Sequence, residues 1–332
     1  MAYSVWMTIN RSCNLRCKWC YAQSTGFSKE KSMDMLLFSN LLEMIGDGID
    51  VKKIILIGGE PTLHVDFFEI LRQIQQKNIN TTLITNGIKF ANLDFTKKAK
   101  SYGLSRVTLS VKAPNNKLYK EWTGQAVMKS VRKAIENLQN SDIVLTVSLV
   151  LSPILYPHIE ELVRVLKEMG VQRVYMDTER PVLLASKAVY EKSIQDVIGG
   201  CWRTVNAFEK EGLNYIFKVS LPFCLMPQDF IKKLKTENHL QSGCQMLKET
   251  GLIFDTNGDL LACSQLFNAS LGRYKKDFYS NETLKKFLLS SQCKKFYERV
   301  TSYPHLKCQN CSDWIYCGGG CRINWLYKNL LD

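Results

Sequence analysis

The sequence predicts an α/β protein made of a partial (β/α)6 barrel followed by a small cysteine-rich domain. Residues 1–178 alternate strand and helix patterns with short connections, which is typical of a parallel sheet that curls toward a barrel. Six such units are fewer than the eight of a full barrel, so we expect an incomplete, splayed barrel. Residues 244–332 are turn-rich and carry clustered cysteines, which favours a small domain held together by metal.

The barrel units follow one another along residues 1–178. Apolar residues at helical spacing alternate with short apolar runs that end in glycine or polar residues. Gly103 and Gly170 close two of the helix patterns, as glycine commonly does. The strand patterns are SVWMTIN, KKIILIGG, NTTLITNG, SRVTLSVKA, DIVLTVSLVL and VQRVYMD, and the helix patterns are MDMLLFSNLLEMI, VDFFEILRQIQQK, LDFTKKAKSYG, MKSVRKAIENLQ and HIEELVRVLKEMG.

The alternation stops at about residue 178, which divides the chain into three predicted regions: 1–178, 179–243 and 244–332. The middle region bridges the other two with one long helix, SKAVYEKSIQDVIGGCWRTVNAFEKEG, and a strand, NYIFKVSL. In the last region GLIFDTNGDLLAC predicts a hairpin that turns at TNGD. NETLKKFLLSSQCKKFYERV then predicts one further helix.

The composition, 45% hydrophobic and 23% charged, is that of a soluble protein. The start of the chain lacks the basic and apolar stretches of a secretory signal, and the apolar run from Ile143 is too short to span a bilayer. We therefore expect a cytoplasmic protein without a membrane segment. The net charge of +13 is one reason to consider nucleic acid, but the lysines are dispersed, and an acidic peptide explains a basic surface equally well.

Twelve cysteines are many for such a chain, and their clustering favours metal over disulfides. Three of them, Cys13, Cys17 and Cys20, follow the first strand pattern at C-x-x-x-C-x-x-C spacing; residues 13–20 are called the cysteine loop below. Thiolates at this spacing suit zinc or an iron–sulfur cluster. Zinc would need a distant fourth ligand, since the first histidine is His64, whereas a four-iron cluster on three thiolates keeps one iron open for a small molecule.

The cysteine loop, together with GGEPTL at 58–63, resembles the radical S-adenosylmethionine (radical SAM) family. The resemblance implies that the three thiolates hold a [4Fe–4S] cluster whose open iron binds S-adenosylmethionine (SAM), and that an electron from a donor such as flavodoxin or ferredoxin releases a 5′-deoxyadenosyl radical. It also implies a set of SAM-binding residues. One of them, Lys112, stands where relatives often have an acid. The Lys112 side chain either pairs with the methionine carboxylate of SAM or lies in solvent. The implied residues are Trp19, Gly58, Gly59, Glu60, Asn86, Ser110 and Lys112.

Two further cysteine patterns occupy the end of the chain. C-x13-G-x4-C fits residues 244–263, and C-x2-C-x5-C-x3-C fits residues 308–321. Zinc is an alternative for four such cysteines. The double pattern resembles the SPASM domain of radical SAM enzymes that mature peptides and proteins, which implies one or two auxiliary [4Fe–4S] clusters.

The resemblance implies how the cysteines are divided between these clusters. A first auxiliary set contains Cys244, Cys263 and Cys321, with Cys224 upstream as a candidate fourth ligand or a buried free thiol. A second auxiliary set contains Cys308, Cys311 and Cys317. Relatives complete the second set with one more cysteine, which this chain lacks; the alternatives are an oxygen ligand from Asp313 or Asp332, an open iron, or a longer natural chain.

The predicted activity is radical modification of a ribosomally made peptide by cross-linking, epimerisation or another oxidation. The alternative is dehydrogenation or epimerisation of a small molecule. A sulfatase-maturing enzyme is disfavoured, because Ser264 and Gln265 follow Cys263 where such relatives carry an aspartate. A non-catalytic iron–sulfur scaffold is disfavoured by GGEPTL beside the three-cysteine loop.

Two cysteines lie outside these patterns, Cys201 and Cys293. Cys201 is a candidate hydrogen-atom donor to a substrate radical, or else an ordinary core thiol; Cys293 is expected to be structural. Since the chain starts on the first barrel strand, we expect that, if a leader of the precursor peptide is recognised, a separate protein or the basic surface recognises it.

Overall fold

The computed structural model describes residues 3–23, 31–46, 48–180, 182–184, 187–189, 194–241, 244, 246, 251–266, 269–323 and 325. Most strands form one ten-stranded sheet in the order β12-β11-β10-β1-β2-β3-β4-β5-β6-β9, and β7 and β8 form a separate hairpin. The strands are β1 (Tyr3–Asn10), β2 (Val51–Gly58), β3 (Thr81–Thr85), β4 (Leu104–Ser110), β5 (Val144–Leu151), β6 (Arg173–Thr178), β7 (Val182–Leu184), β8 (Lys187–Val189), β9 (Asn214–Lys218), β10 (Gly251–Phe254), β11 (Asp259–Leu261) and β12 (Ser270–Arg273).

The helices between successive parallel strands cover the sheet, and their apolar faces pack on it in one large hydrophobic core. A second, smaller core lies in the cysteine-rich region and includes Val300 of the helix Ser291–Thr301. The helices are α1 (Met35–Gly46), α2 (Phe67–Gln76), α3 (Leu93–Ser101), α4 (Asn116–Thr123), α5 (Met128–Gln139), α6 (Ile159–Glu168), α7 (Ile194–Glu211), α8 (Gln228–Thr236), α9 (Asn281–Leu288), α10 (Ser291–Thr301) and α11 (Trp314–Cys317).

The six predicted βα strands are present as β1 to β6, in sequence order and parallel to one another. β9 continues the parallel sheet beyond β6, while β10 pairs with the free edge of β1. The sheet therefore stays open between β9 and β12, and the predicted incomplete α/β barrel is confirmed. One sheet contains strands from all three predicted regions, whose boundaries remain a prediction.

The hairpin predicted at TNGD is confirmed, since β10 and β11 pair antiparallel there. Two helix predictions were too long. The first included residues that pair as the β7–β8 hairpin, so that α7 begins only at Ile194. The second is divided into α9 and α10, because the Ser290 side chain accepts a hydrogen bond from Cys293 N and starts a new helix. Among the described residues, no helix is both long and apolar enough to cross a bilayer.

A buried ion pair joins the end of β1 to the β10–β11 turn. Arg11 and Asp255 approach to 2.5 Å, with side chains only 6% and 11% exposed. Arg11 lies two residues before the cysteine loop, so this pair fixes the cysteine-rich end of the chain against the start of the loop.

Replacing Asp255 by asparagine is expected to lower the free energy of unfolding by about 3–5 kcal/mol, because the change leaves a buried guanidinium without its carboxylate. Denaturant unfolding followed by circular dichroism measures the loss. The matched control is E282Q, which breaks the exposed Glu282–Lys286 pair and should cost about 1 kcal/mol or less. Equal losses in the two variants would contradict a structural role for the Arg11–Asp255 pair.

Candidate active site

The cysteine loop lies at the carboxyl end of β1, directly against the residues that follow β2. Gly59 N donates to Asn10 O (3.0 Å), and Glu60 N donates to Ser12 O (2.7 Å). A Cβ atom on Gly59 would lie 2.3 Å from Ser12 O, where a side chain does not fit. Glycine is thus required here for close approach of two backbone segments, in addition to any approach of a ligand.

A helix that the sequence analysis missed holds the other side of the loop. The last carbonyls of α4 accept hydrogen bonds from the loop backbone: Arg16 N donates to Thr123 O (2.8 Å) and Lys18 N to Trp122 O (3.0 Å). Two signals for α4 were present in the sequence, since Asn115 caps its first turn and Gly124 ends it in a left-handed conformation.

The three loop thiols are close enough to influence one another. Burial raises the pKa of Cys13 to about 11, and the neighbouring charges of Glu60, Cys17 and Cys20 add to this. Burial also raises the pKa values of Cys17 and Cys20, while Lys112 opposes the rise at both thiols. Lys112 therefore lies beside the loop, where its charge favours thiolates and an anionic ligand.

The Glu60 carboxylate is 1% exposed and joins the end of β2 to the end of β3. Oε1 accepts from Thr62 N (3.2 Å), Thr62 Oγ1 (2.7 Å) and Thr85 Oγ1 (2.7 Å), and Oε2 accepts from Asn86 N (2.8 Å). Burial raises the pKa of this carboxyl, and these donors oppose the rise. Because all four partners are donors, the geometry suits the ionised form, and Oε2 keeps capacity for a second donor such as an ammonium group.

Replacing Glu60 by glutamine is expected to lower the free energy of unfolding by about 1–3 kcal/mol, because an amide nitrogen then faces a buried donor. The denaturant midpoint measures this change. E136Q is the matched control, since Glu136 pairs with Lys133 with 57% of its side chain exposed and should change stability by about 0.5 kcal/mol or less. If E60Q were as stable as E136Q, the inferred network would be refuted.

Asn86, predicted to contact SAM, connects the end of β3 to the cysteine loop. Its Nδ2 donates to Asn14 Oδ1 (2.8 Å), and its Oδ1 accepts from Ile88 N (3.1 Å). Gln125 holds the same part of the loop by donating to Asn14 O (2.8 Å). Asn14 was not singled out from the sequence, although it lies inside the motif.

Two further predicted residues lie around the same strand ends. Trp19 packs edge-on against Trp122, with ring centroids 6.2 Å apart. Ser110, the last residue of β4, shares a hydrogen bond with Ser148 of β5 (2.9 Å). The structure therefore brings the predicted SAM-binding residues to the ends of β1 to β4, around the cysteine loop.

The residues present fit a three-thiolate cluster with a bound amino acid. The donor set is three soft sulfurs on one loop, and Lys112 supplies a positive charge beside it. In the described part of the chain, Asn10 Oδ1 is buried without a hydrogen-bond partner, although Asn10 Nδ2 donates to Glu60 O (3.0 Å). An ammonium group at this strand end would supply the missing donor.

The first auxiliary set lies beside the barrel. The pKa of Cys321 is raised to about 12, chiefly by burial and also by the charges of Cys263 and Cys244, while Arg180 opposes the rise. Arg180 follows β6, where it pairs with Asp177. Burial raises the pKa of Tyr21, next to Cys20, and the charges of Cys20 and Cys263 add to the rise. The first auxiliary set is thus a neighbour of the cysteine loop.

The second auxiliary set lies along residues 308–317, directly before Cys321 of the first set. Successive backbone turns connect its members, with Cys311 N donating to Cys308 O (3.3 Å) and Cys317 N donating to Asp313 O (2.8 Å). The Asp313 carboxylate, an alternative oxygen ligand, forms an ion pair with Lys235. Asp332, the other alternative, lies outside the described residues.

The structure does not bring Cys201 to this site. Its side chain is fully buried in α7, and its Sγ lies 4.0 Å from the Tyr156 hydroxyl. Burial raises its pKa to about 12. This position fits the core-thiol alternative, because a hydrogen-atom donor must reach the substrate. Cys293 is also fully buried, in α10.

No disulfide bond joins any two of the 12 cysteines. Among the described residues, no three His, Cys, Asp or Glu side chains lie close enough together to hold one metal ion. A four-iron cluster is larger than a single ion, so its ligand sulfurs stand farther apart than those of a zinc site.

Comparison with known proteins identifies the barrel. Residues 7–166 match the model of the Radical SAM superfamily. A probable GTP 3′,8-cyclase from Pyrococcus abyssi (strain GE5 / Orsay) is 32% identical over 130 residues, which cover 39% of this chain and 41% of that protein. The chain thus spans about two fifths of that curated relative.

Two solved structures share the fold over nearly the whole chain. Native anSMEcpe with bound AdoMet and Cp18Cys peptide has a TM-score of 0.75 and 18% identity, covering 99% of this chain and 91% of that one. Streptococcus suis SuiB bound to its precursor peptide SuiA has a TM-score of 0.70 and 20% identity, covering 98% of this chain and 72% of that one. The predicted fold class is confirmed, including its cysteine-rich end, and residues 7–166 of this chain form a radical SAM domain.

Proposed function

We propose that this chain is a radical SAM enzyme that modifies a ribosomally made peptide by cross-linking, epimerisation or another oxidation. The observation that carries the proposal is the cysteine loop at the mouth of an open barrel whose sheet continues, through β10 at the edge of β1, into a cysteine-rich region. A [4Fe–4S] cluster held by the three cysteines of the loop, with SAM bound, would supply the 5′-deoxyadenosyl radical.

The chain's own residues position SAM. Asn10 Oδ1 and the open acceptor capacity of Glu60 Oε2 suit the methionine ammonium group. Lys112 suits the carboxylate, because it lies beside the loop and is a mobile point charge. Trp19 offers an aromatic face for the adenine.

Two observations support a peptide as the substrate. The two solved structures that share the fold cover 98–99% of the chain, and both contain a bound peptide. Auxiliary clusters on the two cysteine sets are part of this proposal. The net charge of +13 also suits an acidic peptide, although metal thiolates would offset part of it.

The test is anaerobic co-expression with a short peptide encoded beside the gene, followed by mass spectrometry of the peptide. Loss of the mass of a hydrogen pair would indicate a cross-link or dehydrogenation. A peptide mass that is unchanged in ordinary water but rises through deuterium uptake in heavy water would indicate epimerisation. Neither change should occur with the C17A variant. A peptide that stays unmodified when co-expressed with wild-type enzyme that carries its full iron content would contradict the proposal.

A small-molecule substrate is the second candidate, because the aligned relative is a probable GTP 3′,8-cyclase. Formation of 5′-deoxyadenosine by purified enzyme separates the two candidates. The peptide proposal predicts stimulation by the peptide and none by GTP. Stimulation by GTP alone would favour the second candidate.

A further inference from the structure

The second auxiliary set supplies three thiols, one fewer than the four that hold a fully ligated four-iron cluster. Short turns hold these three together: Cys308 ends a turn of 3-10 helix, Cys311 N donates back to Cys308 O, and Trp314 N donates to Cys311 O (3.1 Å). Cys317 ends α11, where Gly318 turns the chain in a left-handed conformation. The set is therefore compact and open to a donor from another part of the chain.

The segment after β9 contacts both auxiliary sets. Phe223 N donates to Cys317 Sγ (3.3 Å) of the second set, and Cys321 N, of the first set, donates to Ser220 O (2.7 Å). A Cβ atom on Gly320 would lie 2.7 Å from the backbone of Leu221, so only glycine permits this approach. Cys224 is the residue immediately after Phe223, in a turn of 3-10 helix.

The turn that carries Cys224 packs beside α11, the helix that ends in Cys317. The Lys235 ammonium group lies over the Phe223 ring (5.8 Å from the centroid) and over the Tyr316 ring (5.3 Å). Together with the hydrogen bond from Phe223 N to Cys317 Sγ, this places Cys224 next to the second auxiliary set, and Cys224, like Cys311, is exposed.

The oxygen ligand that was expected as an alternative already has a partner. The Asp313 carboxylate forms an ion pair with Lys235, as described above. The first auxiliary set contacts the same segment four residues before Cys224, where Cys321 N donates to Ser220 O, whereas the residue directly before Cys224 donates to Cys317 Sγ.

We propose that Cys224 is the fourth thiolate ligand of the iron–sulfur cluster held by Cys308, Cys311 and Cys317. This assignment rests on the auxiliary clusters of the proposed function. It replaces the sequence-based expectation that Cys224 serves the first auxiliary set. Each thiol releases its proton to solvent as its sulfur binds iron. The first auxiliary set is then left with three thiols beside Arg180.

Two double variants separate the possible assignments. C308A/C311A removes the second auxiliary cluster, and C244A/C263A removes the first, since two thiolates do not hold a cubane. In the C244A/C263A background, adding C224A should change the Mössbauer spectrum and lower the iron content. In the C308A/C311A background, adding C224A should leave both the spectrum and the iron content unchanged. The reverse pattern would overturn the assignment. C293A, added to each background, is the matched control.

Alkylation of the reconstituted protein tests the same assignment without altering Cys224. Mass spectrometry after alkylation should find Cys224 protected in wild type and in C244A/C263A, and labelled in C308A/C311A. Labelling of Cys224 in wild-type protein that holds about 12 irons, the content of three four-iron clusters, would overturn it. Wild-type protein that holds only about four irons, or that holds zinc on these thiols, would instead refute the auxiliary clusters of the proposed function.

Discussion

Replacing Cys17 by alanine is expected to abolish the formation of 5′-deoxyadenosine from SAM. Cys17 is the middle cysteine of the cysteine loop and, under the proposed function, one of three ligands of its cluster; the two remaining thiolates would not hold a four-iron cluster. The iron content should fall by about four atoms per chain, while the fold remains, because the change removes a single sulfur atom from the loop. Anaerobic reconstitution, iron analysis and chromatography of the SAM products measure both effects.

The control for this prediction is C293A. Cys293 is also buried, in α10, and belongs to neither auxiliary set nor the cysteine loop. C293A should keep its full iron content and its SAM cleavage. A C17A protein that still produced 5′-deoxyadenosine at the wild-type rate would contradict the assignment of the loop.

Replacing Gly59 by alanine is expected to displace the start of the cysteine loop. The new Cβ would lie 2.3 Å from Ser12 O, which is backbone and cannot rotate away. Such overpacking costs about 1–3 kcal/mol or more. It also strains the hydrogen bonds that Gly59 N donates to Asn10 O and that Glu60 N donates to Ser12 O. SAM affinity should therefore fall by about tenfold or more. Isothermal titration with SAM and denaturant unfolding measure the two losses.

G199A is the matched control for the added methyl group. Gly199 lies in α7, and no atom lies within 4 Å of a Cβ built there. This variant should be as stable as wild type or up to about 1 kcal/mol more stable, because alanine favours helix. Unchanged SAM affinity in G59A would show that the contact between Gly59 and the cysteine loop is not needed for binding.

The sequence was sufficient to predict the barrel, because local periodicity encodes each βα unit. It did not predict how the later segments add to the sheet. NYIFK was predicted as a strand, but its pairing with β6 depends on contacts far apart in the chain. The same holds for β10, which pairs with β1 from about 250 residues away. The α4 helix was missed because its eight residues are shorter than the window over which a helical period can be recognised.

The candidate site divides in the same way. Residue type and spacing were enough to single out the loop cysteines, Gly58, Gly59 and Glu60. The partners that hold them, such as Asn14 and Thr85, are ordinary polar residues that become informative only when strand ends meet. Cys224 could not be assigned from spacing, because its neighbours Cys308 and Cys311 lie more than 80 residues downstream.

Electron–nuclear double resonance of the reduced protein tests the open iron of the cysteine loop most directly. The sample would contain SAM labelled isotopically in the amino nitrogen and in a carboxylate oxygen. We predict magnetic coupling of both labels to a cluster in wild-type protein, and no coupling in C17A. A loop that holds zinc, or an iron cluster without coupling to either label, would contradict SAM binding at a vacant iron.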